Sequence, residues 1–131
     1  TSHFMRSGGP RQSLQSRRGV PLAHATLSTT SPVGYFDDCE QKAFWDLSAA
    51  TRLTRFGGDC YGYGLLALGC IDIIVESSLK AWDVQALIPI VEGAGGTLTS
   101  WDGGRCDEGG DVVACGDPAL APKVRALLAG R

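Results

Sequence analysis

The chain has 131 residues, 44% of them hydrophobic and 20% charged, which excludes a wholly disordered or fibrous polypeptide and fits one globular domain. A formal net charge of −2 and a pI near 5.6 give no general case for nucleic acid or an anionic membrane as partner. No apolar run reaches the roughly 18–20 residues of a spanning helix and no charged-apolar-small leader opens the chain, so the sequence predicts a soluble, cytoplasmic protein without membrane contact.

Residues 1–19 are rich in Ser, Gly and Arg without a sustained period and read as loop, or as the remnant of a preceding strand connection. Arg6, Arg11, Arg17 and Arg18 all precede the first acid, Asp37, and make this segment a solvated basic loop or an anion-facing surface. From Leu22 to Thr30 apolar and small polar residues alternate as in a strand, until Ser31-Pro32 and Gly34 break the pattern. Next, DDCEQKAFWDL puts Cys39, Ala43, Phe44 and Leu47 on one helical face behind an Asp37 or Asp38 cap. RLTRF (52–56) is a short strand stopped by Gly57-Gly58.

Asp59 then suits the cap of a helix reaching about Leu68, with Tyr61, Leu65 and Leu68 on its inner side. IDIIVE is a continuous apolar strand closed by a carboxylate, Glu76. Val84, Leu87, Ile88 and Val91 follow i, i+3, i+4, i+7, a buried helical stripe with Asp83 as cap and Trp82 and Leu87 at the staple positions. Pro89 lies inside that helix and predicts a kink or a loosened first turn. TLTSW and VVAC (112–115) are further strands, and Asp117-Pro118 opens a last helix carrying Leu120, Val124, Leu127 and Leu128. Strands and helices alternate throughout, which defines a layered α/β class.

Five cysteines (39, 60, 70, 106 and 115), odd in number and without C-x-x-C spacing, predict free thiols. His3 and His24 are the only histidines and neither is near a cysteine, so zinc ligation or a Ser-His-Asp arrangement has little to be built from. The carboxylates are more informative. Asp83 at a helix mouth serves either as a plain cap or as an anion that shares a hard cation with phosphate oxygens. Glu76 at the C-terminal end of a buried strand either faces solvent or stands at the sheet edge where ligands of open α/β sheets bind.

Glu76, Trp82-Asp83, Ala86, Pro89-Ile90-Val91 and Gly93-Ala94-Gly95-Gly96, continued by Thr99 and Trp101-Asp102-Gly103, resemble the second signature of the inositol monophosphatase superfamily of metal-dependent phosphatases. TTSP (29–32) and RFGGDCYGYGLLALG (55–69) resemble its histidinol-phosphatase branch more than inositol monophosphatases, which usually carry Gly-Thr-Ala where this chain has Gly-Gly-Asp. The resemblance covers most of residues 20–128 and implies the C-terminal half of a layered αβαβα sandwich, with residues 20–131 as a C-terminal α/β subdomain. It implies a Mg2+ ligand at Asp83, and contacts to the organic part of a small-molecule phosphate monoester from Glu76 and from the Gly57, Gly58, Asp59 loop.

The implied reaction is Mg2+-dependent hydrolysis of L-histidinol phosphate to L-histidinol in histidine biosynthesis. The alternatives are an inositol monophosphatase, a 3′-phosphonucleotide phosphatase, or a non-catalytic binding module. The family's Asp-Pro-Ile-Asp-Gly-Thr-like segment is missing here, so no catalytic residue is identified in this half, and the chain alone is expected to bind metal weakly. A homodimer of the intact protein is compatible with the sequence.

Overall fold

The computed structural model describes residues 1–130. A five-stranded sheet runs in the order β4 (Leu53–Phe56), β3 (Thr26–Thr29), β5 (Ile73–Lys80), β7 (Gly109–Cys115), β6 (Thr97–Thr99). The first three strands are parallel, and β7 is antiparallel to both of its neighbours. Period-two alternation divides the apolar residues between two faces. Leu27, Ile73, Val75 and Val113 pack under α1 (Asp38–Ala50) and α5 (Ala121–Leu128) with Phe36, Phe44, Val124 and Leu128. Ile74, Val112 and Ala114 face α2 (Asp59–Ala67), α3 (Ala81–Val84) and α4 (Leu87–Gly93) through Tyr63, Leu66, Val84 and Val91. The result is a layered α/β fold with helices on both faces of a mixed sheet.

The first 19 residues are not plain loop. His3–Phe4 (β1) and Gln12–Ser13 (β2) form a small antiparallel hairpin. Ser2 donates its hydroxyl to the carbonyls of Pro89 and Ile90 (3.0 and 2.9 Å), which ties the segment to α4. Arg17 makes a bidentate pair with the buried Asp72 (2.9 and 2.5 Å), and Arg18 donates to the Gly95 carbonyl at 2.5 Å. Two of the four early arginines therefore serve the fold itself rather than an external anion.

The expected strand from Leu22 starts later. Leu22–His24 is a 3-10 turn, because Pro21 fixes the entry and the alternation becomes productive only at Thr26. In α1 the Asp37 carboxylate accepts from Glu40 N while Glu40 accepts from Asp37 N, a reciprocal capping box. Ala43, Phe44 and Leu47 are buried as expected, but Cys39 is exposed. The inner face of α2 is not the expected one. Tyr63, Leu66 and Ala67 are buried, whereas Tyr61 is 72% exposed.

The helix behind Trp82-Asp83 is broken as Pro89 requires: its ring would crowd the carbonyl of Gln85, and the chain divides there into α3 and α4. At the far end of α4, Gly95 adopts a left-handed φ of +98° and a Cβ on Gly96 would lie 2.7 Å from the Cys115 carbonyl oxygen, so the turn into β6 admits only glycine. Asp117 caps the last helical segment by accepting from Ala119 N (3.0 Å) and also accepts from Gly19 N (2.8 Å). Trp101 is buried in the core, its indole N–H shared between the carbonyls of Glu76 (3.2 Å) and Val112 (3.1 Å).

All five cysteines are free thiols, with Cys106 and Cys115 buried and the other three exposed. Burial pushes the Cys106 thiol up to about 11 and the Cys115 thiol up to about 12. A disulfide-exchange reagent at mild alkaline pH is therefore expected to label Cys39, Cys60 and Cys70 rapidly in the native protein and the buried pair only after urea is added. Rapid native labelling of Cys106 or Cys115 would contradict the packing described.

Candidate functional site

At the C-terminal ends of the parallel strands β3 and β5, where open α/β sheets receive ligands, lies a cavity of about 410 Å³. Asp59, Glu76 and Asp83 all line it. The three acids come from different elements, and each is placed by a different local device.

Glu76 is set by β5, which does not end there as expected but runs on to Lys80 through an irregularity in pairing between Glu76 and Leu79, with Ser78 at a left-handed φ of 63°. The side chain is 6% exposed, not solvent-facing. Its carboxylate accepts from the Tyr63 hydroxyl (2.7 Å), the Thr30 backbone N–H (3.2 Å) and the Thr30 hydroxyl. A buried carboxylate is tolerable only with such donors. Burial, and then the neighbouring Glu76 charge, raise the Tyr63 phenol well above the ordinary tyrosine range.

Asp59 is not the expected helix cap. Gly58 holds the N-cap position without a side-chain bond, and Asp59 is the first residue of α2 at a left-handed φ of 46°, a conformation that aspartate enters more readily than most residues. It is exposed at the cavity wall. Gly57 and Gly58 do not line the cavity. Gly57 N donates to the carbonyls of Thr29 (3.2 Å) and Thr30 (2.9 Å), so the pair carries the chain from β4 towards Asp59.

Asp83 also departs from the expected position. It sits in the third residue of α3, not before the helix, and accepts from the Lys80 N–H at 2.8 Å. This engages one carboxylate oxygen, and the residue is exposed. Trp82 forms no staple: it is 80% exposed while Leu87 is 9% exposed.

Among the described residues lining the cavity there are three carboxylates and no lysine, arginine or histidine. The field there favours a cation or a neutral polar group over a free phosphate. Among the described residues no group of three or more acidic, His or Cys side chains is arranged to hold a metal. Asp83 nevertheless fits a hard cation of the Mg2+ type, which takes one or two carboxylates and completes its shell with water and phosphate oxygens. Asp83 alone would give such a site one donor, not a closed cage.

Sequence reasoning missed Tyr63 and Thr30, the two residues that hold Glu76. Thr30 was legible only through the TTSP resemblance, and Tyr63 was hidden because Tyr61 matched the assumed inner face.

Residues 4–129 match the model of the inositol monophosphatase family, and the chain belongs to that family. It is 42% identical over 94 residues to the bifunctional phosphatase IMPL2, chloroplastic, of Arabidopsis thaliana, covering 72% of this chain and 27% of that protein. It is 38% identical over 112 residues to the histidinol-phosphatase of Mycobacterium tuberculosis, covering 85% of this chain and 43% of the relative. A solved inositol monophosphatase from Zymomonas mobilis superposes with a TM-score of 0.85 at 39% identity, over 90% of this chain and 47% of that one. The chain thus spans less than half the length of each of these proteins.

Removing the Tyr63 hydroxyl leaves a buried carboxylate short of a donor, so Tyr63→Phe is expected to cost about 1–3 kcal/mol in urea unfolding. Because the folded-state phenol is raised, its contribution is fully present below the ordinary tyrosine value of 10.0 and is lost as pH rises above it. Stability measured from pH 9 upward should fall less steeply in Tyr63→Phe than in the parent, and equal slopes would contradict the Tyr63–Glu76 coupling.

Proposed function

We propose that this chain supplies the organic-group pocket and one metal-ligating carboxylate of a cytoplasmic Mg2+-dependent phosphatase that hydrolyses L-histidinol phosphate to L-histidinol in histidine biosynthesis. The observation that carries the reading is the cavity whose wall combines Asp59, Glu76 and Asp83 with no basic residue among those described. Histidinol carries an ammonium and an imidazole, which pair with carboxylates through charge-assisted hydrogen bonds. Inositol offers neither group, and a nucleotide's second phosphate would be repelled by Asp59. The similarity to a bacterial histidinol-phosphatase supports the same choice.

In this reading Glu76, held by Tyr63 and Thr30, and Asp59, carried by the Gly57-Gly58 turn, bind the cationic organic group and keep its ester oxygen directed towards Asp83. Asp83, steadied by Lys80 N–H, would hold the Mg2+. When bound, the metal lowers the pKa of attacking water and offsets charge on the phosphate and the leaving oxygen. Hydrolysis forms a bond from water oxygen to phosphorus, breaks the ester P–O bond, and returns a proton to the alcohol. The remaining donors and the base for water lie outside the residues assigned here. A non-catalytic binding module is the second reading, favoured by the lack of a metal-holding cluster among the described residues.

In a full-length protein containing this chain, Asp83→Asn should lower turnover of L-histidinol phosphate by about 100-fold or more, as loss of several kcal/mol of charge stabilisation implies. Its folding should be nearly unaffected, because the amide oxygen can still accept from Lys80 N–H. Loss of stability in proportion to activity would reduce Asp83 to a helix-stabilising residue, and a wild-type protein inactive with Mg2+ on every phosphate monoester offered would favour the binding-module reading.

Asp59→Ala is expected to raise KM for L-histidinol phosphate about 10-fold or more, from the loss of a charge-assisted bond, and to leave KM for inositol phosphate nearly unchanged. Equal effects on the two esters would remove Asp59 from substrate selection.

A further inference from the structure

Thr29 ends β3 with its side chain 1% exposed, and it lines the same cavity. Its hydroxyl has no hydrogen-bond partner in the protein. Buried hydroxyls are normally satisfied, and the other serine and threonine hydroxyls of this cavity are. Thr30 donates to Glu76, Ser31 to the Val33 carbonyl, Ser77 to Glu40 and Ser78 to the Tyr35 carbonyl. Thr29 therefore stands apart in its own surroundings.

Strand alternation puts Thr29 on the face of Leu27, opposite to the one from which Tyr63 reaches Glu76. Phe36, packed in the core beneath α1, lines the cavity as well. The cavity lining therefore combines three carboxylates with an unpaired neutral hydroxyl and an aromatic ring. A phosphate is disfavoured among these acids, whereas the organic part of an ester that offers a cation to the acids and a neutral nitrogen or oxygen to the hydroxyl would satisfy both.

We infer that Thr29 is a specificity-determining residue whose hydroxyl bonds a neutral nitrogen or oxygen of the substrate's organic group. The inference rests on the phosphatase reading above and extends it, since it assigns a partner to a residue that reading leaves unused. A site that hydrogen-bonds its ligand rejects analogues lacking the matching atom, because the buried group is then left unpaired.

The test is Thr29→Val, which keeps the shape and removes the hydroxyl, with Thr29→Ser as the conservative rescue, both in a full-length protein containing this chain. Without ligand, Thr29→Val should melt at the parent temperature or above it, because a buried unpaired hydroxyl is lost. KM for L-histidinol phosphate should rise about 5- to 20-fold with kcat changed less than about twofold, and Thr29→Ser should recover most of the loss. Product inhibition separates the two halves of the substrate: the inhibition constant of L-histidinol should rise with KM, while that of inorganic phosphate should not move.

A lower melting temperature with unchanged KM would make the hydroxyl structural and overturn the inference, as would unchanged KM and stability together. A rise confined to the phosphate constant would also overturn it. A parent protein that hydrolyses no phosphate monoester would instead sink the phosphatase reading, and with it this extension, a result distinguishable from any difference between parent and variants.

Discussion

The constraint on which this sheet turns is the burial of Glu76. A carboxylate taken out of water costs several kcal/mol unless donors replace its hydration. Here they come from two other elements: the Tyr63 hydroxyl on α2, and the backbone and side chain of Thr30 just past β3. Thr30 lies at a fixed register relative to β5, since Leu27 pairs with Ile73 and Ser28 with Ile74, and Tyr63 reaches the same carboxylate from the helix packed on that sheet. Satisfying one charge thus locks the end of β3, the second turn of α2 and the middle of β5 into one arrangement. The cavity is the space left in front of that junction.

The two other acids are set on less regular backbone carried by the same frame. Asp59 stands two residues after Gly57, a positive-φ glycine, and itself adopts a left-handed conformation at the start of α2. Asp83 follows the strand irregularity at Ser78 and is steadied through the Lys80 N–H. Irregular connections supported by packed strands are where proteins commonly place ligand-contacting groups, because the sheet supplies rigidity and the loop supplies freedom of direction. The strained positions here fall on the cavity wall, at Asp59 and Ser78, both of which line it.

Much of this was legible in the sequence, and the failures have definite causes. The α1 boundary was readable because the Asp37 and Glu40 spacing encodes a local capping box that needs no tertiary information. The convergence of Glu76 and Asp83 followed from a topological rule about strand ends and helix mouths. Their exact settings did not. Polar residues after Glu76 suggested that the strand stopped, yet β5 continues for four residues because a bulge absorbs them, and this moves Asp83 from cap to third helical residue. In α2 the glycines weaken the amphipathic signal, so tertiary packing chose Tyr63 over Tyr61 as the inward residue. Thr29 could not be found from pattern at all, since an unpaired hydroxyl is a property of its surroundings.

The two buried carboxylates at opposite ends of the strand's apolar stretch sharpen the functional argument. Asp72, 1% exposed, receives a bidentate guanidinium from Arg17 and the Thr26 N–H, so its charge is neutralised within the protein. Glu76, four residues further on and nearly as buried, is hydrogen-bonded only by neutral donors among the described residues. If both were there to stabilise the fold, the same cationic solution would serve both, because unpaired buried charge is destabilising. The asymmetry is what the proposed phosphatase reading expects: one acid closes the sheet and the other is left for a cationic group of the ligand. Asp59 and Asp83, which line the same cavity, add to that charge instead of cancelling it; in the proposed phosphatase a cationic organic group against Glu76 and Asp59, and a divalent ion against Asp83, would complete the site electrostatically.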